Sequence, residues 1–333
     1  MIEFIFTIDY EIYGNGRGSL QELVYEPASE ITTIFEKFGA PLVAFIEVAE
    51  LEMIEAKNTD TAINLVKHQI RDFNARGYEL GLHIHPQWYN ARYENSEWRL
   101  DYSEYNLCTL PEDRMRQILQ RSIKYMRRLI SPSEFFPFSF RAGNWLLQPT
   151  KTIARVLSEH AIKLDSSVYK GGLKSQHKLD YRKSQKNGYY WPFAEEVNTP
   201  DPQGSLIELP TYTRMVPAWK LLSAKRIGVQ QKSAASSKSR SRRLSSLRDL
   251  MRLWQPIKMD FCRLTIEQMT QMLDNEIRKD RENPSLFRPI VAIGHTKDLY
   301  DFATVEAFLF YLRSKNIPIS TFRDVYDKCS YPI

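Results

Sequence analysis

Ile2-Glu3-Phe4-Ile5-Phe6-Thr7-Ile8-Asp9-Tyr10-Glu11 opens the chain with a strand-forming run that ends in two carboxylates. The run Ile2–Ile8 is rich in β-branched and aromatic residues and reads as a strand. Asp9 and Glu11 stand two residues apart, so on extended backbone both side chains point to the same side. Polar groups just beyond the C-terminal end of a parallel strand occupy the place where α/β folds assemble their sites.

The same arrangement recurs along the chain. Further strands are expected at Leu42–Val48, Tyr78–Ile84, Phe135–Phe140, Ile162–Val168, Leu206–Tyr212, Ile290–Gly294 and Ile317–Thr321. Helical patterns lie between several of them. Ala62–Arg76 stops at Gly77, and Thr109-Leu110-Pro111-Glu112 reads as a capping box that starts a helix running to about Ile130. Leu264–Lys279 and Thr304–Ser314 are two more. Repeated β-then-α order predicts a mainly parallel sheet with helices outside, and either a closed barrel or an open doubly wound sheet satisfies it. His83 and His85 end the third strand, Arg141 follows Phe135–Phe140, Asp165 ends the fifth, and His295 follows Ile290–Gly294. Five strand ends carrying such groups make a pattern that one would not.

The residue types indicate a chemistry. The chain has six histidines, and two of them form His83-Ile84-His85, both facing one way. Imidazole and carboxylate together suit zinc or cobalt, and two His with one carboxylate leave coordination positions open for water and substrate. Repulsion between Asp9 and Glu11 would be relieved by a cation, although an acidic turn is the plainer reading of that pair alone. His295 at a strand rim can serve as a general acid, and Arg141 can hold a carboxylate through a bidentate pair.

Taken in order, Thr7-Ile8-Asp9-Tyr10-Glu11, His83-Ile84-His85-Pro86, Phe140-Arg141-Ala142-Gly143, Leu164-Asp165-Ser166-Ser167 and Gly294-His295 resemble the NodB-type polysaccharide deacetylases, the catalytic domain of carbohydrate esterase family four. The resemblance implies an irregular (β/α)7 barrel with one divalent metal. It implies Asp9 as catalytic base, Glu11, His83 and His85 as metal ligands, His295 as acid and Arg141 as the residue that orients Asp9. A backbone N–H near Asn144 would then face the oxyanion. Three positions depart from the family pattern. Glu11 stands where the second carboxylate is usually Asp, Gln87 stands where the second histidine usually lies, and Arg141-Ala142-Gly143 replaces Arg-Pro-Pro.

The expected activity is hydrolysis of an amide other than a peptide bond. N-deacetylation of an amino-sugar saccharide, or of its nucleotide- or lipid-linked intracellular precursor, comes first. A small-molecule amidohydrolase or deformylase and a non-catalytic glycan-binding barrel are the alternatives. Zinc is the expected metal, with cobalt, nickel or manganese as substitutes. Trp88, Asn144, Trp145, Asp165, Ser166 and Trp191 are the candidate substrate-binding residues, the tryptophans because rings stack on sugar faces. Core packing is the competing reading of those rings, since aromatic residues make up 12% of the chain.

The bulk composition frames these expectations. The 333 residues, 43% hydrophobic and 26% charged, suit one large deacetylase-like barrel domain over residues 1–333 without disulfides. Cys108, Cys262 and Cys329 are scattered and odd in number, which fits a reducing compartment. No leader pattern precedes the first strand, and no apolar run approaches the roughly 18 residues of a membrane span. A cytoplasmic location is therefore expected. The net charge of +6 is concentrated: eleven Lys or Arg and one acid, Asp249, lie between Lys220 and Lys258. A flexible basic insertion is expected at about 222–258. Its Leu244, Leu247, Leu250, Met251 and Trp254 lie at helical spacing, suited to a surface helix or to a basic amphipathic element that touches an anionic glycan or anionic lipid at the inner membrane face. Nucleic acid ranks last as a partner, having no motif behind it.

Overall fold

The computed structural model describes residues 1–130, 135–218 and 252–330. In chain order the main elements are β1 (Ile2–Tyr10), α1 (Glu26–Phe38), β2 (Val43–Glu47), α2 (Val48–Lys57), α3 (Ile63–Ala75) and β3 (Glu79–Ile84). A short hairpin, β4 (Arg92–Glu94) with β5 (Glu97–Arg99), then precedes α4 (Glu112–Leu129), β6 (Ser139–Ala142), α5 (Thr150–Glu159) and β7 (Leu164–Asp165). The second half holds β8 (Leu173–Lys174), β9 (Leu179–Asp180), β10 (Trp191–Phe193), β11 (Leu206–Glu208), β12 (Thr213–Pro217), β13 (Trp254–Lys258), α6 (Ile266–Glu282), β14 (Arg288–His295), α7 (Phe302–Ser314) and α8 (Phe322–Ser330).

One eight-stranded sheet runs in the order β10-β11-β7-β6-β3-β2-β1-β14. Every pairing in it is parallel except that of the edge strand β10 with β11. The sheet curls until its ends meet. Just past β11, Thr211 bridges Val291 of β14 in parallel, and the Tyr212 N–H donates to the Val291 carbonyl at 2.8 Å. Seven parallel strands thus enclose an interior, which decides for the irregular (β/α)7 barrel against the open sheet.

The two faces of β1 explain its composition. All nine residues are buried. Phe4 and Phe6 face the helical layer, where Phe6 packs edge-on to Phe35 at 5.0 Å and to Phe261 at 5.5 Å. Burying one such ring contributes about 1.5–3 kcal/mol. Ile5 faces the other way, into a smaller cluster with Val43, Phe45, Leu164, Ile207 and Val291, drawn from five strands. That cluster fills the lower barrel, and Phe322 of α8 packs against it at 5.9 Å from Phe45. Above it the interior turns polar at Thr7, Asp9 and Arg141.

Several local expectations are corrected. Thr109 does not cap α4; its hydroxyl bonds to the Asn106 carbonyl within a preceding 3-10 turn, and Pro111 occupies the N-cap. The capping box lies instead at Thr265 and Gln268, opening α6. The segment 317–321 forms only a single bridge, Ile319 to Phe4. Most of the proposed basic insertion lies outside the described residues. Its end differs from the helical reading, because Trp254–Lys258 is a strand paired antiparallel with β12. No helix among the described residues is long and apolar enough to cross a membrane.

Candidate functional site

Strand ends around one rim bring the polar groups together. Arg141, on β6, reaches across the barrel to β1: Nη1 donates to Asp9 Oδ1 at 2.7 Å and Nη2 to Thr7 Oγ1 at 2.9 Å. Its Nε donates to the Ser166 carbonyl at 3.0 Å and Nη2 to the Ser166 hydroxyl at 3.1 Å. Arg141 is 1% exposed, so the planar guanidinium is held from three strands with little freedom. Burial alone would raise the Asp9 carboxyl, but Arg141, then His83 and His295, hold it below its ordinary value.

The other oxygen of Asp9 faces the histidines, lying 3.4 Å from His295 Nε2 and 3.9 Å from His83 Nε2. Glu11 Oε2 lies 3.1 Å from His85 Nε2 and 3.6 Å from His83 Nε2, and the two Nε2 atoms are 3.2 Å apart. Lys297 Nζ donates to the second Glu11 oxygen at 2.6 Å. Against the cost of burial, Lys297 and His85 pull the Glu11 carboxyl well below its usual range. Burial opposes a charge on His83 too, yet Asp9 and Glu11 raise its pKa to about 9; burial keeps His85 and His295 below theirs.

These atoms fit a divalent metal. Tetrahedral bonds of about 2.0–2.1 Å place neighbouring ligand atoms roughly 3.3 Å apart, close to the three separations among Glu11, His83 and His85. His83 Nδ1 lies 2.9 Å from the Arg141 carbonyl, so it keeps its proton and Nε2 is the atom a metal would bind in place of a proton. His85 Nδ1 lies 3.1 Å from the Gln87 amide nitrogen and 3.2 Å from that of Asn144. Gln87 Oε1 is buried without a partner. Turning the Gln87 amide over places that oxygen against His85 Nδ1, which selects the tautomer with a free Nε2.

Sequence reasoning missed Glu47. It ends β2, caps α2 through the amides of Ala49 and Glu50, and accepts the His85 backbone N–H at 2.8 Å. Burial pushes its carboxyl up to about 8. Glu11, Glu47, His83 and His85 place donor atoms within 4.8 Å of one another, as do Asp9, Glu11 and His295. The signal that selected Asp9 and His83, a polar residue at a strand end, was present at Glu47 as well. Lys297, two residues beyond His295, was also missed.

The predicted substrate-binding residues divide. Asn144 and Trp145 follow β6 with left-handed backbone, φ 57° and 69°. Two such non-glycine residues in succession store strain, commonly kept where it positions functional groups. Trp145 lies 5.6 Å from the Arg141 guanidinium. Asp165 and Ser166 are fully buried; Ser166 holds Arg141, and Asp165 accepts from the Ser167 amide and hydroxyl, each at 2.8 Å. Trp88 is buried edge-on to Trp98 at 5.1 Å. Trp191 lies on β10 at the sheet edge, its indole N–H donating to the Val197 carbonyl at 2.7 Å. The packing reading therefore accounts for Trp88 and Trp191 in this structure.

Comparison with known proteins gives the fold its context. No family model and no curated protein sequence matches the chain. Solved structures do. A protein assigned as a polysaccharide deacetylase from Mycobacterium smegmatis superposes with a TM-score of 0.53 at 15% identity, over 98% of this chain and 90% of its own. An allantoinase gives 0.51 at 11% identity, over 99% and 92%. A family 57 branching enzyme from Thermococcus kodakaraensis gives 0.57 at 10% identity, over 99% of this chain and 72% of its own. The chain has the fold of the polysaccharide deacetylases, a fold that also carries other chemistries.

Proposed function

We propose that this protein is a metal-dependent hydrolase of a non-peptide amide, and that it removes the N-acyl group of an amino-sugar saccharide. Because several activities share the fold, fold alone selects none of them. The observation that carries the reading is the convergence of Glu11 Oε2, His83 Nε2 and His85 Nε2 at separations of 3.1, 3.2 and 3.6 Å, beside the Asp9–Arg141 pair. Glu11, His83 and His85 would hold the metal, and a two-His, one-carboxylate set suits zinc, with cobalt, nickel or manganese as substitutes.

A divalent metal bound there supplies Lewis acidity, polarising an acyl carbonyl and making water a better nucleophile. The chain's own groups do the rest. Arg141 keeps Asp9 ionised and aimed, so its free oxygen can take the proton of the attacking water. His295 Nε2, 3.4 Å from that oxygen, is placed to pass a proton to the leaving nitrogen as the C–N bond breaks. The products are a carboxylate and an amine. The left-handed turn at Asn144 stands beside His85, where a backbone N–H can meet the developing oxyanion.

Metal content by elemental analysis, paired with acid release from acetamido sugars, tests the reading. About one metal per chain, lost in folded His83→Ala and His85→Ala, together with acetate release, supports it. Metal binding with turnover of ureides or formamides but of no acetamido sugar moves the assignment to a small-molecule amidohydrolase. Folded wild type that takes up no metal yet binds glycan would overturn catalysis altogether.

A further inference from the structure

Lys258 closes β13, and its ammonium lies 4.1 Å from the centre of the Trp145 ring and 5.1 Å from that of Tyr169. The Arg141 guanidinium lies 5.6 Å from the centre of the same Trp145 ring. At the preceding residue of the turn, Lys174 Nζ donates to the Asn144 carbonyl at 3.2 Å, while the Asn144 amide sits against His85. Two lysines from separate segments, β8 and β13, therefore meet at the strained Asn144–Trp145 turn that borders the metal-ligand cluster.

The electrostatics of Lys258 are uneven. No carboxylate of the described residues makes an ion pair with it within 4.0 Å. Asp260, the acid that acts on it most, accepts the Cys262 amide and lies 3.7 Å from Arg263. Burial, with Lys174 and Arg263 adding repulsion, brings the Lys258 pKa down to about 7. Aromatic faces stabilise such a cation but leave its donors without a strong acceptor. An anion entering beside Trp145 would meet two needs: hydrogen bonds for the ammonium and relief of the lysine–lysine repulsion.

We propose that Lys258 and Lys174, both at the Asn144–Trp145 turn that borders the metal-ligand cluster, form an anion subsite that selects acylamino sugars bearing a phosphate or carboxylate group. This deepens the proposed function and rests on it for the acyl group alone, because an anion can bind whether or not an amide is cleaved.

Equilibrium binding to chelator-treated protein separates the two. Calorimetric titrations would compare neutral N-acetylglucosamine with N-acetylglucosamine 6-phosphate and N-acetylmuramic acid, on wild type, Lys258→Gln and Lys174→Gln. Wild type is expected to prefer at least one anionic sugar about tenfold over the neutral one, with the ratio falling toward one in Lys258→Gln. Preference for the phosphate or the lactyl carboxylate alone names the group recognised. Salt provides a check independent of folding, since added sodium chloride should erode the wild-type ratio. Equal affinity for neutral and anionic sugars in wild type, or a ratio that survives in folded Lys258→Gln, overturns the subsite. An anion preference lost in Lys258→Gln, without turnover of any acetamido sugar by the metal-loaded protein, leaves the subsite standing and rejects the sugar deacetylase.

Discussion

Asp9 and Arg141, 132 residues apart in sequence, meet inside the barrel with Asp9 Oδ1 2.7 Å from Arg141 Nη1, both side chains almost wholly buried. The pair fixes one carboxylate oxygen so that the other faces His295 and His83. Removing one partner of a buried ion pair leaves an uncompensated charge. Arg141→Ala is therefore expected to lower stability by about 3–5 kcal/mol in chemical denaturation. Asp9→Asn keeps the shape and removes the proton acceptor, so kcat should fall by roughly 10²–10⁴ while metal content stays. Retained kcat in Asp9→Asn would exclude it as the base.

Lys297 acts on the same cluster with opposite sign. Its ammonium neutralises one Glu11 oxygen and competes electrostatically with a cation at the other. Lys297→Met should lower the stability of the chelated protein, because Glu11 loses its partner. It should also enlarge the rise in Tm that zinc produces. A smaller zinc-induced rise than in wild type would show that Lys297 supports the metal rather than opposing it.

Gly143 sits under the histidines. A Cβ there would come within 2.5 Å of the Ile84 carbonyl and 2.9 Å of the His85 ring. Gly143→Ala is expected to displace His85 and weaken zinc affinity by roughly 10–100-fold, as disturbed ligand orientation does elsewhere. Competition with a chromogenic chelator reads this directly, and unchanged affinity would mean that the His85 ring moves aside without loss.

Glu208 and Asp165 oppose each other on paired strands, both fully buried. Burial, with Asp165 beside it, raises the Glu208 pKa well above the ordinary 4.5. The unfolded chain loses this proton near its ordinary pKa while the folded chain keeps it. The contribution is thus fully present below about pH 4.5 and is lost as pH rises toward the folded value. Urea midpoints measured from pH 5 to 8 should fall less steeply for Glu208→Gln than for wild type; parallel slopes would count against a protonated Glu208.

Strand runs, and the polar residues placed at their ends, are local properties of the chain. They were enough to indicate a mainly parallel α/β sheet, with the barrel implied only by the family resemblance, and to single out Asp9, Glu11, His83, His85, Arg141 and His295, which the structure brings to one rim. Local spacing misled where neighbours decide the outcome. Trp254 lies at helical distance from Leu250 in sequence, yet it pairs with Pro217 as a strand. Thr109 has the capping residue types, but Pro111 takes the N-cap. Tertiary structure decided the rest. The curl of the sheet sets Arg141 opposite Asp9, the pairing of neighbouring strands sets Lys297 on Glu11 and Glu47 beside His85, and the separate β12–β13 hairpin brings Lys258 over Trp145. A residue's own neighbours in sequence determine the face on which it stands, whereas the register of seven strands determines which charge it meets across the interior.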